Sequence, residues 1–335
     1  MIVRTQRYTT YMLYTLVADA AGIPLRDVFW DAAAIVDAYR RLQGDLLSPR
    51  LREALAPYLR QPALAALSYG HVAALGCALD TPQDGEPRPR PCLAGPDGAA
   101  ALRDPPDFLQ TPLIRERLRV AAEVERLWGG GIRVSPAAGW EGPLTTAVLM
   151  AGADFLTWPI ERPAAAHALL RFVTESAARY AQAYRTFLGE PWPMRSAGIC
   201  DDFAGLLSPA LFDDFVLPYW DLFYTLVGAE RRSLHSELLR AGHLSLLPHV
   251  GIEYFDPGAD QYLTPELLRE HCPVPFQLRI LDWHLRDNTP AALQAMYCRF
   301  ASFEPAAIQF GIERVSEEEK YLAILDVARE LAGEA

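Results

Sequence analysis

The chain has 335 residues, of which 51% are hydrophobic and 22% are charged, which is enough apolar material for a large buried core. Its formal net charge is -11 and it has no long basic run, so the sequence predicts no binding to nucleic acid or to a membrane. The first residues lack the layout of a signal peptide, and no apolar run is long enough to span a bilayer. Five scattered cysteines without a CxxC pair argue against a disulfide framework and predict a reducing, cytoplasmic setting.

Helical patterns dominate the first 60 residues. Asp31 occupies the N-cap position of the second of three predicted helices, and the segment is interpreted as helical and packed on the main fold. Arg4 and Arg7 are candidate ligand contacts within it. The three helices are predicted at Tyr11 to Ala21, Ala32 to Leu42 and Pro49 to Leu59.

Strands and helices alternate from residue 61 onward. Most predicted strands are followed by a helix, and this alternation predicts an α/β fold with a (β/α)8 TIM barrel in residues 61–335, one structural domain with the N-terminal helices. No GxGxxG motif follows a strand, which argues against a dinucleotide-binding sheet. Residues 81–107 predict an exposed loop or hairpin. The strands are predicted at 64–67, 132–137, 194–199, 231–234, 251–255, 276–281 and 307–312.

Ionisable residues stand where these strands end. In such a barrel the loops after the strands carry the functional site, and so many acids and histidines at one edge indicate chemistry. The alternative to a functional role is a turn role for Asp256 and, for Asp282, a role as the cap of the segment after it. The selected residues are His71, Glu141, Cys200, Asp201, Asp202, His235, Glu237, Asp256, Asp282, His284 and Glu313.

His235 and Glu237 are the most informative pair. They end one predicted strand, and residues two apart in an extended chain point to the same face. Their side chains therefore suit a metal ion or an acid–base pair, and the alternative is a strand end that meets water. Trp140 and Trp283 follow strands and could line a pocket.

Several spaced motifs resemble the uroporphyrinogen decarboxylase superfamily. The resemblance covers most of the chain, is clearest in residues 140–290, and depends on the order and spacing of the pieces together. The matching pieces are Gly142-Pro143-Leu144-Thr145-Thr146, Asp201-Asp202, Leu207-Ser208-Pro209, Phe212, Phe215, Leu217-Pro218-Tyr219, His235, Asn288-Thr289-Pro290 and Glu318 to Leu322.

The superfamily has two main branches. The decarboxylases proper are cofactor-free and hold an acidic tetrapyrrole with N-terminal arginines and an aspartate, and this chain matches their arginine-rich segment only at Arg7-Tyr8. The zinc methyltransferases serve methylated corrinoid proteins and bind zinc through His-x-Cys and a later cysteine. Here Glu237 replaces the first cysteine, and none is present near Gly311, where the later one falls. A site without thiolates is harder and less electron-rich.

The resemblance implies a methyltransferase-like enzyme nearer the zinc branch. Such an enzyme would activate a thiol, hydroxyl or methoxy substrate for methyl transfer to or from a corrinoid on a partner protein. Zinc or another divalent metal would bind His235 and Glu237, with Asp256, Cys200 or His243 as a further ligand. Catalytic roles are predicted for Asp201, Asp202, His235 and Glu237. Substrate-binding roles are predicted for His71, Trp140, Glu141, Asp282 and Trp283.

Two other classes of function stay open on the sequence. One is a metal-free decarboxylase or lyase that acts on a carboxylated, tetrapyrrole-like substrate, with Asp201, His235 and Glu237 handling protons only. The other is a non-catalytic protein that binds a corrinoid or a tetrapyrrole.

Overall fold

Parallel strands form the framework of the computed structural model, which describes residues 7–334. Arg4 lies outside the described residues, and the backbone carbonyl of Arg7 accepts a hydrogen bond from Ile308 N. The strands are β1 (Tyr8–Met12), β2 (Leu79–Asp80), β3 (Arg88–Pro89), β4 (Ser196–Cys200), β5 (Arg231–His235), β6 (Ile252–Asp256), β7 (Gln277–Ile280) and β8 (Ala307–Ile312).

Two three-stranded parallel sheets carry most of the strands. One has the order β4-β5-β6 and the other β1-β8-β7, while β2 and β3 form an antiparallel hairpin. Isolated parallel bridges join Phe255 to Phe276 and Leu67 to Ala138. The predicted α/β class with parallel strands is confirmed, but the hydrogen-bonded ladders of residues 7–334 do not form one closed sheet.

Helices follow most of the parallel strands. Side-chain caps are present at Asp31, as predicted, and at Thr264 and Thr289, each accepting from backbone N–H groups of the first turn. The helices are α1 (Tyr14–Ala21), α2 (Asp27–Trp30), α3 (Ala32–Gln43), α4 (Pro49–Ala54), α5 (Ala56–Leu59), α6 (Gly70–Ala74), α7 (Gly95–Ala101), α8 (Pro112–Trp128), α9 (Pro143–Ala151), α10 (Trp158–Glu161), α11 (Pro163–Leu188), α12 (Pro209–Phe215), α13 (Leu217–Val227), α14 (Ala241–Leu244), α15 (Pro265–His271), α16 (Asp282–Asp287), α17 (Pro290–Ala301) and α18 (Glu318–Ala332).

The N-terminal segment departs from the helical prediction. Tyr8–Met12 is the strand β1, parallel to β8, so the predicted helix start at Tyr11 is wrong. Aromatic and threonine side chains favour a pleated strand once a partner is available, and β8 supplies that partner. The first helices share one buried core with the C-terminal part of the chain, where Leu16 and Ile35 pack in the same cluster as Ile308.

Two other predicted strands are reduced to single bridges. Segment 64–67 pairs with the residue that follows segment 132–137 through one parallel bridge, between Leu67 and Ala138. Arg117 holds the backbone of these two segments, because its fully buried guanidinium donates to the carbonyls of Pro136 and Ala65, and also to that of Phe29. A side chain therefore satisfies carbonyls that a regular ladder would otherwise pair.

Among the described helices, none is both long and apolar enough to cross a membrane.

Candidate acid–base site at the strand ends

Strand register brings the central residues of the site together. Cys200 of β4 pairs with His235 of β5, which in turn pairs with Asp256 of β6. Arg279 of β7 extends this row, because its guanidinium donates to Asp256. The carboxyl ends of adjacent parallel strands meet at one edge, where a (β/α) fold places its functional groups.

His235 lies between two carboxylates. Its Nδ1–H donates to Asp256 Oδ2 at 2.9 Å, while Nε2 faces Asp202 Oδ1 at 3.5 Å, too far for a strong hydrogen bond. Burial alone would lower the pKa of His235, but the hydrogen bond and the charges of Asp256 and Asp202 outweigh burial and raise that pKa. His235 therefore favours its protonated form and keeps Nε2 available.

Arg279 is the functional residue that sequence reasoning missed. Its Nε donates to Asp256 Oδ1 at 3.1 Å and its Nη2 contacts Asp256 Oδ2, so the two groups form a bidentate pair. Burial would raise the pKa of Asp256, but His235 and Arg279 together lower it well below its usual range. The sequence feature that could have identified Arg279 is a charged residue within a strand, between the apolar residues Leu278 and Ile280, which are both buried.

Glu237 turns toward His235, as the spacing of the two residues predicts. Its Oε1 accepts from Ala259 N at 2.9 Å, and its backbone N–H donates to Asp202 Oδ1 at 3.1 Å. A Cβ atom added to Gly258 would lie 2.5 Å from Glu237 Oε1 and 2.6 Å from His235 Cε1. Both side chains therefore converge on the turn at Gly258, whose φ of +62° also favours glycine.

Asp201 anchors a helix instead of facing the site. It is fully buried and accepts from the backbone N–H of Leu144 at 3.2 Å, from that of Thr145 at 2.6 Å, and from Trp220 Nε1 at 2.7 Å. Burial raises the pKa of Asp201 to about 6, although these donors oppose the rise. The first turn of α9 has free N–H groups that need acceptors, and Asp201, which directly follows β4, satisfies two of them.

Glu141 is a buried acid next to the site. It is 6% exposed, and its Oε2 has no hydrogen-bond partner among the described residues. Burial, followed by the charges of Asp202 and Asp201, raises the pKa of Glu141 to about 8, while a hydrogen bond with Ser68 lowers it. Glu141 is therefore mostly a neutral carboxylic acid at pH 7, with one oxygen free for a ligand.

Of the predicted substrate contacts, His71 packs in the core, whereas Trp140 is half-buried and lines a cavity with Tyr184 and Leu188. His71 is fully buried, bonds Ser176 Oγ at 2.9 Å, and has its pKa lowered by burial to about 3. The half-buried Trp140 packs its ring 6.4 Å from that of Tyr180 and 6.5 Å from that of Phe223. His71 lies outside the strand-end cluster because the short helix α6 turns it toward these aromatic rings.

Asp282 and Trp283, the other predicted substrate contacts, begin α16 beside the cluster. Burial and then the Asp282 charge raise the pKa of Glu313, which follows β8, to about 7. Asp282 and Glu313 thus form a second acidic pair at the same edge of the fold. Trp283 is 39% exposed and lies 5.6 Å from the ring of His284.

The predicted ligands do not fit a metal ion. Both oxygens of Asp256 are engaged by His235, Arg279 and Gly258 N, and a guanidinium stands where a cation would bind. Burial and nearby carboxylates raise the pKa of the Cys200 thiol to about 12, so the thiolate form that binds metals is disfavoured. Within residues 7–334, no three His, Cys, Asp or Glu side chains are arranged to hold a metal.

His243, the further ligand candidate, has both ring nitrogens occupied. Its Nδ1 accepts from Arg240 N at 2.9 Å, and its Nε2–H donates to the carbonyl of Leu207 at 3.0 Å. This imidazole ties two loops together and is 1% exposed. It therefore contributes to structure at this edge and not to a metal site.

The fold and the site define a parallel α/β protein with a cluster of acids, a histidine and an arginine at its strand ends. The chain belongs to the uroporphyrinogen decarboxylase (URO-D) family, whose family model matches residues 69–255. A solved structure described as a methyltransferase from Methanosarcina mazei is similar in fold, with a TM-score of 0.67 and 18% identity over 98% of this chain and 94% of that one. No curated protein matches the chain at a significant level. The predicted family membership is confirmed.

Proposed function

We propose that the chain is a methyltransferase-like enzyme of the URO-D family that works through proton transfer at His235. The position of this imidazole carries the proposal: Asp256 holds Nδ1 at 2.9 Å and leaves Nε2 facing Asp202 Oδ1 at 3.5 Å. Family membership and the fold of the Methanosarcina mazei methyltransferase support the class of enzyme. The cluster around His235 supplies the chemistry.

We further infer that the parallel strands belong to one eight-stranded TIM barrel. The bridge between Phe255 and Phe276 links the two sheets into the order β4-β5-β6-β7-β8-β1. The bridged segments at Leu67 and Ala138 supply the two remaining positions. In such a barrel the His235 cluster lies at the mouth, on the face where loops bind substrates.

The reaction step uses one proton. When a methyl group leaves a methoxy substrate, the carbon–oxygen bond breaks, the electron pair stays on oxygen, and His235 Nε2–H protonates that oxygen. In the reverse direction neutral His235 takes the proton of a thiol or hydroxyl as the methyl group arrives. A corrinoid on a partner protein would supply the cobalt that accepts or donates the methyl group.

Arg279 and Glu141 would assist this step in different ways. Arg279 holds Asp256 ionised, and Asp256 in turn orients the ring of His235 and stabilises its charge. Glu141 would donate a hydrogen bond from its neutral carboxyl group to a polar substrate atom, because its Oε2 is buried and unpaired among the described residues. Asp202 and Glu237 would border the same space.

Free cobalamin provides a direct test. The purified protein is incubated with cob(I)alamin and a set of methoxy and methylthio compounds, and formation of methylcobalamin is followed by its absorbance. The proposal expects turnover with at least one compound and its loss in His235→Gln. The exposed His271, which lies on helix α15, serves as the matched control through His271→Gln. Failure of every methyl donor, with the reverse reaction from methylcobalamin to thiols also absent, would overturn it.

A metal-free decarboxylase is the second candidate. The observation that favours it is the poor fit of the site to a metal, together with family membership. Here the carboxylate group would leave the substrate as carbon dioxide, and protonated His235 would donate a proton to the substrate carbon that carried it. Arg279 would keep its partner Asp256 charged. Release of carbon dioxide from carboxylated tetrapyrroles without methyl transfer would establish this function instead.

A further inference from the structure

Two cysteine side chains meet at the base of the β2–β3 hairpin. The Sγ atoms of Cys77 and Cys92 lie 3.0 Å apart, closer than unbonded sulfur atoms normally approach and near enough to form a bond after a small movement. Cys77 is 2% exposed, whereas Cys92 is exposed to solvent. Cys92 is therefore the residue that a reagent in solution reaches first, and Cys77 lies buried next to it.

The backbone on both sides of this contact is fixed. Cys77 N donates to the carbonyl of Val72 in α6, and Cys92 N donates to the carbonyl of Met150 in α9. Between them, Arg90 N donates to the carbonyl of Ala78, which closes the hairpin. Because each cysteine is anchored to a different helix, the short sulfur–sulfur distance belongs to the fold and not to one flexible loop.

We propose that Cys77 and Cys92 are an oxidation site, which a hydroperoxide converts to a disulfide that clips the base of the hairpin. Hydrogen bonding from the Cys77 thiol lowers the pKa of Cys92, which supports Cys92 as the thiol that reacts first. The proposal is independent of the function assigned to the strand-end cluster.

The chemistry balances with one peroxide. With hydrogen peroxide, the Cys92 thiolate attacks one peroxide oxygen, the O–O bond breaks, and the products are a sulfenic acid and, after protonation of the released hydroxide, one water. The Cys77 sulfur then attacks the Cys92 sulfur, the S–O bond breaks, and the hydroxyl group leaves as the second water. Both sulfurs are oxidised by one electron and the peroxide is reduced, so a dithiol reductant reverses the modification.

The clip would restrain the whole β2–β3 hairpin. The charge of Arg88 on β3 acts on Tyr69, which also senses the charges of Glu141 and Asp202. The tip of the same hairpin is held by Arg26 N, which donates to the carbonyl of Gln83. Oxidation would therefore restrain the hairpin that carries Arg88, because both of its ends become tied.

Peptide mapping of the whole protein tests the proposal. The protein is treated with one equivalent of hydrogen peroxide, denatured, and alkylated with iodoacetamide. Trypsin leaves both cysteines in one peptide, because proline follows Arg88 and Arg90 and blocks cleavage there. Cleavage before Asp80 and Asp84 with an Asp-specific endoproteinase separates the cysteines, so the two cysteine-containing pieces should stay joined, lighter by two hydrogen atoms, until a dithiol is added.

Another cysteine acts as an internal control. Cys298 is also exposed, yet it has no sulfur partner in the described structure, so it should still react with iodoacetamide after peroxide treatment. Cys298→Ser should leave the linked peptide unchanged, and Cys92→Ser should abolish it. Alkylation of Cys77 and Cys92 to the same extent as Cys298, or a disulfide between two chains, would overturn the proposal. Because the mapping uses the unaltered protein, the test does not depend on a variant that folds.

Discussion

The ring of Tyr11 on β1 lies against Gly311, its partner on β8. A Cβ atom added to Gly311 would come within 2.6 Å of Tyr11 Cδ2, a separation that real Cβ contacts do not show. Near this position the zinc branch of the superfamily, which the chain resembles, carries its later cysteine. The aromatic ring therefore fills the space that a ligand side chain would need.

Gly311→Cys should lower stability by about 1–3 kcal/mol, the usual cost of overpacking a buried site. Tyr11→Ala should relieve most of this cost when the two changes are combined, because the ring is the obstacle. Urea denaturation of both single variants and the double variant measures the coupling. Simple addition of the two single effects would show that another group causes the clash.

The purified protein should contain no stoichiometric zinc, because Arg279, His235 and the backbone N–H of Gly258 together occupy the carboxylate of Asp256. Elemental analysis after growth with added zinc measures this directly, and a chelator should leave the melting temperature unchanged. One equivalent of metal that disappears in His235→Ala would restore the metal hypothesis for His235 and Glu237.

Asp256→Asn should lower the pKa of His235, because the hydrogen-bonded carboxylate that favours the imidazolium is lost while the Arg279 charge remains. In the wild type the folded pKa of His235 is raised, so its stabilisation is complete below the unfolded pKa of 6.5 and is lost as pH rises through the folded value. NMR titration of the His235 ring measures the change, and the alkaline limit of activity should move to lower pH.

The same substitution should cost about 3 kcal/mol in stability, because it leaves a largely buried guanidinium without its partner. Asp221→Asn is the matched control. Asp221 also pairs with an arginine, Arg232, at 2.6 Å, but its side chain is 56% exposed. Its loss should cost less than about 1 kcal/mol. Equal effects of the two substitutions on stability would contradict the role of Asp256 as the partner of a largely buried guanidinium.

Glu141→Gln should flatten the dependence of stability on pH. Because the folded pKa of Glu141 is raised to about 8 from 4.5, its contribution is fully present below pH 4.5 and is lost as pH rises through 8. The advantage of the variant over wild type should grow across this range to on the order of 5 kcal/mol. Thermal denaturation between pH 5 and pH 9 measures it, with the exposed Glu53→Gln as a control that shows no such trend.

Arg117→Met should destabilise the protein by on the order of 3 kcal/mol, because several buried carbonyls lose their donor. Arg119→Met, two residues later on α8, should cost less than about 1 kcal/mol, since Arg119 is 62% exposed and pairs only with Glu116. Equilibrium denaturation of the two variants compares them directly. A cost for Arg117→Met no larger than that for Arg119→Met would contradict the structural role.

Local sequence patterns predicted the features that depend on neighbouring residues. His235 ends β5 and Glu237 follows it by two residues, a spacing that predicts their convergence, and the caps at Thr264 and Thr289 follow from a threonine directly before the proline that begins each helix. Sequence reasoning misplaced Asp201 because its donors come from α9 and α13, far away along the chain. Nothing in the local pattern distinguishes a carboxylate that caps a distant helix from one that meets a substrate.

The sequence by itself determined the alternation of strands and helices, the family, and the edge where the ionisable groups collect, because these depend on short-range periodicity and on motif order. Only the tertiary structure decided that Tyr8–Met12 is a strand beside β8, that His71 is buried, and that Arg279 joins Asp256 and His235. Pairing partners, burial and net charge at a site are properties of residues far apart in the chain, so they exist only once the chain has folded.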